Sequence, residues 1–129
     1  MSHWLKALGH AGGPLPARWL EDGNLRSLRR TGFPRRPRMG AGDRLVYYAS
    51  VWQRVFAVVE MVGEPEQIEH PRWPWIVHVE PLLVIPDLDA APPVEAIGVA
   101  PRSMSQQSHI RLTPEQYERA VEALASVAH

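Results

Sequence analysis

The sequence contains no cysteine, which excludes a disulfide framework, a thiolate metal site and a cysteine nucleophile. Lysine is almost absent too: Lys6 stands alone, and every other basic side chain is arginine. No apolar run approaches the ~20 residues of a membrane-spanning helix; Leu82 to Pro86 is among the longest. The first ten residues lack a basic segment followed by an apolar one, so they do not read as a signal peptide. A cytoplasmic protein without a membrane partner is expected. The histidines show neither His-x-x-x-His nor His-Glu-x-x-His spacing, which leaves a metal site unsupported. No Gly-x-Ser-x-Gly elbow and no phosphate-binding glycine loop is present, and no cofactor is expected.

What is there fits one globular domain, residues 1–129. Five tryptophans and three tyrosines, with many valines and leucines, can supply a core. The formal net charge is zero, but it is polarised. Residues 1–44 hold nine of the basic residues and only three acidic ones, and no acidic residue lies between Arg26 and Arg38. Such a distribution can present a basic face to an anionic partner, or be a solvated arginine-rich loop.

Periodicity predicts an α+β domain. His3 to Leu8 reads as a first strand, Pro16 to Leu28 as a helix on the spacing of Leu20, Leu25 and Leu28, and Thr31 to Gly42 as a loop. Arg44 to Ser50 and Gln53 to Val62 follow as strands. The second is apolar on both faces, as in a sheet covered on both sides. Trp75 to Val84 is a long strand bent at Pro81, which cannot donate to a central ladder. Val94 to Ile97 reads as one helical turn and Ser103 to Leu112 as extended. Thr113, Pro114 and Gln116 mark the capped start of a C-terminal helix running to about Val127. With strands close in sequence and no βαβ alternation, a small curved sheet or barrel with flanking helices is expected.

Several segments, in order, carry a resemblance: Trp4-Leu5-Lys6, Gly42-Asp43-Arg44-Leu45-Val46-Tyr47-Tyr48-Ala49-Ser50, Ala57 to Pro65, and Arg102-Ser103-Met104-Ser105. This set resembles the EVE domain family, and Pro71-Arg72-Trp73-Pro74-Trp75 with Arg102 to Leu112 resembles one bacterial branch of it. The resemblance implies a PUA-like pseudo-barrel related to domains that read modified bases in DNA or RNA through an aromatic-lined pocket.

On that resemblance, Tyr48, Ser50 and Trp52 stand where the family places its pocket, with Trp4 on the opposite wall. Tyr47 and Tyr48 read equally as core. Arg102, Ser103, Gln106, Ser108 and His109 form the second candidate segment. In an extended chain Gln106 and Ser108 would face inward with Met104, as base-edge partners or as a hydrogen-bonded loop. Ser108 and His109, adjacent in a strand, would point to opposite faces and could not pair as nucleophile and base. Trp73 and Trp75, flanking Pro74, read as a barrel plug, with ligand contact as the alternative. Arg29, Arg30, Arg35, Arg36 and Arg38 are candidate phosphate contacts. The expected function is therefore a nucleic-acid-binding module, for DNA or RNA, that accepts a modified or flipped base. The alternatives are a small hydrolase of modified nucleosides, for which Lys6 and Glu60 are the candidate groups, and a protein-interaction domain.

Overall fold

A computed structural model of the chain describes residues 1–9, 13–21, 24–105 and 107–128. Seven strands form one mixed sheet: β1 (His3–Leu8), β2 (Arg30–Phe33), β3 (Arg44–Ala49), β4 (Arg54–Met61), β5 (Glu66–Gln67), β6 (Trp75–Val84) and β7 (His109–Leu112). Among the described residues one α-helix, α1 (Pro114–Val127), follows. The strand order is β2-β6-β4-β3-β1-β7, with β5 added beside β6. Only β1 and β3 run parallel; every other pairing is antiparallel. No helix among the described residues is long and apolar enough to cross a membrane.

The sheet curls around its most apolar strands. In β4, Val55 to Val59 are all buried, as expected for a strand covered on both faces. The bend at Pro81 is a bulge: Val58 pairs with Leu83 but Val59 pairs with Pro81, so Leu82 has no opposite number. Placing the proline there spares the ladder a missing donor, and the extra residue bends the strand. The N-terminal half of β6 is then free to pair with β2 and β5, while its C-terminal half pairs with β4.

Helix α1 begins as its sequence predicts. The Thr113 hydroxyl accepts from the Gln116 amide at 3.1 Å, and the Gln116 side chain accepts from the Thr113 amide at 2.9 Å. Such a cap contributes about 1 kcal/mol. Tyr117, Ala120 and Leu124 form the buried stripe. The Tyr117 hydroxyl accepts from Arg44 Nη1 at 2.7 Å, which ties the helix to the start of β3.

Three expectations are corrected. Pro16 to Leu28 is not an α-helix: residues 17–21 form a turn and Asn24–Leu28 a 3-10 helix. Instead, the segment is strapped over the sheet by tertiary bonds. Trp19 Nε1 donates to the Ile85 carbonyl at 2.9 Å and Leu88 N to the Ala17 carbonyl at 2.8 Å. Within the expected loop of Thr31 to Gly42 lies strand β2. Its Gly32 disguises it in the sequence, yet the glycine is needed, because a Cβ there would lie 2.8 Å from the Trp73 Cβ. Nor is Ser103 to Leu112 extended throughout: Pro101–Met104 is a 3-10 turn and only His109–Leu112 is strand.

Candidate nucleic-acid interface

Because β1 and β3 are parallel, their C-terminal ends emerge side by side, and there a cleft of about 1510 Å³ opens. Lys6, Ala7 and Leu8 of β1 form its floor, and Tyr48 with Ser50 stands beside them. Thr31 and Gly32 of β2 form a second wall with Trp73, and Arg102, Ser105 and Ser108 a third. The two candidate segments, one near residue 50 and one near residue 105, therefore border the same cavity. Gln106 lies outside the described residues.

The charge of this lining is one-sided. Lys6, Arg26, Arg30 and Arg102 border the cleft, with no aspartate or glutamate among its described lining residues. An anionic ligand is favoured there by low-dielectric walls that focus the field.

The other candidates are placed differently. Trp4 does not line the cleft. It packs edge-on against His109, 5.5 Å between centroids, with Arg111 5.8 Å from its ring. Trp52 is also withdrawn, since its indole donates to the Leu15 carbonyl at 2.8 Å and Arg54 covers the ring. Ser103 is exposed outside the cleft lining. His109 sits one layer behind the lining, its ring 5.0 Å from that of Phe33. The arginines divide: Arg30 borders the cleft, whereas Arg36 and Arg38 border a separate shallow depression beside Asp43, at the start of β3. Arg29 and Arg35 are exposed and border neither.

Two further corrections concern chemistry. Ser108 precedes β7 at a bend, so strand alternation does not hold it away from His109, and the Ser108 hydroxyl lies 2.7 Å from His109 Nδ1. Burial, with the nearby Lys6 charge second, lowers the His109 pKa and favours the neutral ring that can accept this proton. Trp73, expected as a plug ahead of a ligand contact, is 41% exposed and borders the cleft, with the His70 ring 5.3 Å from its own. Tyr48 is only 5% exposed and presents far less of its ring.

The rim is conformationally strained. Val51 (φ 76°) and Gln53 (φ 57°) occupy the left-handed region in the turn between β3 and β4, and both line the cleft. A β-branched residue in that region is a true outlier. Such a conformation costs about 1–3 kcal/mol per residue.

Lys6 is the least expected feature. It is 5% exposed, and its ammonium donates to the Ala7 carbonyl at 2.9 Å and lies 5.0 Å from the Phe33 ring centroid. Burial lowers its pKa from 10.5 to about 8. Between those two values the unfolded chain holds the proton and the folded chain does not, so stability rises with pH across that window. Between pH 7 and 9.5 the rise from this group is about 2 kcal/mol. Lys6→Met should abolish that rise and be the more stable protein at pH 7, because it removes a buried unpaired cation. Urea midpoints at the two pH values test this; parallel profiles for parent and variant would contradict it.

No family model and no curated protein matches the sequence. Solved structures do match in shape. The Atu2648 protein of Agrobacterium tumefaciens is 14% identical with a TM-score of 0.60, the match covering 98% of this chain and 93% of that one. Human THYN1, solved in complex with 5-methylcytosine containing DNA, is 14% identical with a TM-score of 0.56, covering 100% and 99%. A mutant of the ZmASCH protein of Zymomonas mobilis is 12% identical with a TM-score of 0.57, covering 95% and 98%. Nearly end-to-end coverage in each case, together with the curled mixed sheet and its C-terminal helix, establishes the architecture: the chain has the PUA-like fold that its EVE resemblance implies.

Proposed function

We propose that the domain binds nucleic acid and accepts a modified or flipped base in the cleft between the Tyr48–Ser50 side and the Arg102–Ser108 side. The observation that carries this reading is the lining itself, which among the described residues holds Lys6, Arg26, Arg30 and Arg102 without a carboxylate, beside Trp73 and Tyr48. The likeness in fold to human THYN1, solved with DNA containing 5-methylcytosine, supports it further. Extracting a base costs a few kcal/mol, which the pocket recovers by stacking and edge contacts. Trp73 is the stacking platform in this reading. Tyr48 closes the pocket edge, and Ser50 and Ser108 supply directional contacts to the base. Arg30 and Arg102 hold flanking phosphates.

The test is a binding screen with single-stranded and duplex oligonucleotides carrying or lacking base modifications. Trp73→Ala should weaken binding by about 1–3 kcal/mol, the worth of one base–aromatic stack. Its exposure means that urea stability should change little. Tyr48→Ala, by contrast, should lose stability as well as affinity, since it opens a cavity in the core. Unchanged affinity in Trp73→Ala would remove the stacking role.

The 2.7 Å Ser108–His109 contact favours a second reading, hydrolysis of a modified nucleoside with Ser108 as nucleophile and His109 as base. Among the described residues no hydrogen bond orients the histidine from a third group, which makes binding the preferred reading. Turnover of acylated nucleosides that is lost in Ser108→Ala would reverse that preference.

A further inference from the structure

We propose that Lys6 is the base of an oxyanion subsite inside the cleft, one that takes the terminal phosphate of a phosphomonoester, as carried by a free nucleotide or a strand end. The inference deepens the base-binding reading of the same cleft and rests on it for the nucleoside part of the ligand. Lys6 is buried at 5% exposure, and of its three ammonium protons one is accounted for, by the Ala7 carbonyl. The Phe33 ring is the nearest aromatic face to it, 5.0 Å away, and a ring takes no proton in a full hydrogen bond.

Among the described residues no carboxylate is paired with the Lys6 ammonium. Across the β1–β7 pairing Lys6 meets His109, whose ring is biased toward neutrality, and across the β1–β3 pairing it meets Tyr47. Burial holds the Tyr47 phenol protonated, and its hydroxyl donates to the Ser27 carbonyl. From β2 come Thr31, Phe33 and the cationic Arg30, and from the Pro101–Met104 turn the cationic Arg102. A cation kept out of water beside neutral groups, with exposed arginines at the cleft rim, lacks a counter-ion among the described residues, and an anion entering the cleft would supply it.

The depth of the group selects the kind of anion. An internal phosphodiester is flanked by two sugars and carries one charge. A phosphomonoester presents three terminal oxygens and, with a second pKa near 6, nearly two charges at neutral pH. Its oxygens can accept from Lys6 Nζ, while the base extends toward Trp73, which borders the same cleft. Filling the subsite returns the Lys6 pKa toward its ordinary value, so binding above pH 8 takes up a proton.

Isothermal titration calorimetry at pH 8.5, in two buffers of different ionisation enthalpy, tests the inference with three probes: deoxycytidine 5′-monophosphate, deoxycytidine and inorganic phosphate. The nucleotide should bind at least about tenfold tighter than the nucleoside, with uptake of roughly half a proton or more. Folded Lys6→Met should lose both the preference and the uptake. Lys6→Arg should keep much of the preference without uptake, because guanidinium stays charged throughout. A preference that survives in Lys6→Met would assign the phosphate to the arginines and overturn the subsite. So would equal binding of nucleotide and nucleoside, or no binding of nucleotide and phosphate. Phosphate binding with Lys6-dependent proton uptake but no contribution from the nucleoside would keep the subsite and remove the base-binding reading. Nucleoside binding without a phosphate preference would do the reverse.

Discussion

Replacing Arg26, Arg30 and Arg102 together by glutamine should weaken binding of single-stranded DNA on the order of a hundredfold at low salt. It should also flatten the dependence of log affinity on log salt by about 2 units. The arithmetic follows from counterion release, in which each phosphate neutralised on a single strand contributes about 0.7 to the slope. All three arginines border the cleft and all three are exposed, so the change should leave the fold intact. The same substitution at Arg35, Arg36 and Arg38 is the control. Arg36 is engaged 5.4 Å from the Trp75 ring, and Arg36 and Arg38 border the depression that contains Asp43. Their effect on slope should be the smaller. A cleft triple variant with the slope of the parent would remove the electrostatic half of the account.

Trp19→Ala should destabilise the domain by about 3–5 kcal/mol, a large part of the stability of a domain this size. Trp19 is fully buried, stacks edge-on against Phe56 at 4.7 Å and donates to the Ile85 carbonyl at 2.9 Å. Its loss leaves a cavity, an unpaired carbonyl and an untethered strap over the sheet. Leu15, in the same strap, accepts from Trp52 next to the strained β3–β4 turn, so ligand affinity should fall together with stability. Urea denaturation followed by tryptophan fluorescence measures the first effect. A loss below about 1 kcal/mol would mean that the strap is not part of the core.

The elements legible in the sequence are those whose signal is local. The capping box at Thr113 and the apolar stripe of α1 required no tertiary information, and neither did the two-faced apolar β4 nor the proline that marks the bulge in β6. The Gly42-Asp43-Arg44 motif carried the resemblance, and its role proves architectural. Gly42 takes a left-handed turn (φ 89°), Asp43 accepts from the amides of Ser2 and Gly40, and Arg44 bridges Glu60 and Tyr117. Motifs of this kind report fold before function.

What was not legible depends on contacts distant in sequence. β2 is a strand because β6 pairs with it and because Trp73 packs where a side chain on Gly32 would be; in the sequence the glycine reads only as a breaker. Leu20, Leu25 and Leu28 imitate a helical spacing, but the Ala17 carbonyl is taken by the Leu88 amide and the Trp19 indole by the Ile85 carbonyl. The Ser108–His109 contact arises at a bend that period-2 alternation cannot anticipate. Lys6 reads in the sequence as a strand lysine and a candidate group of the hydrolase alternative, but its burial is made by β2 and β7, which lie 24 or more residues away. One signal did single it out, since it is the sole lysine of an arginine-rich chain.

The most direct test of the central claim is an NMR titration of the ¹⁵N-labelled domain with a short single-stranded oligonucleotide carrying one 5-methylcytosine, beside its unmethylated twin. If the cleft receives the base, the perturbed amides will cluster at Lys6 to Leu8, Gly32, Tyr48 to Gln53, Trp73 and Ser105 to Ser108, with the Trp73 indole among the largest shifts. Perturbation confined to Arg35, Arg36 and Arg38, with the cleft amides unmoved by either strand, would contradict the account.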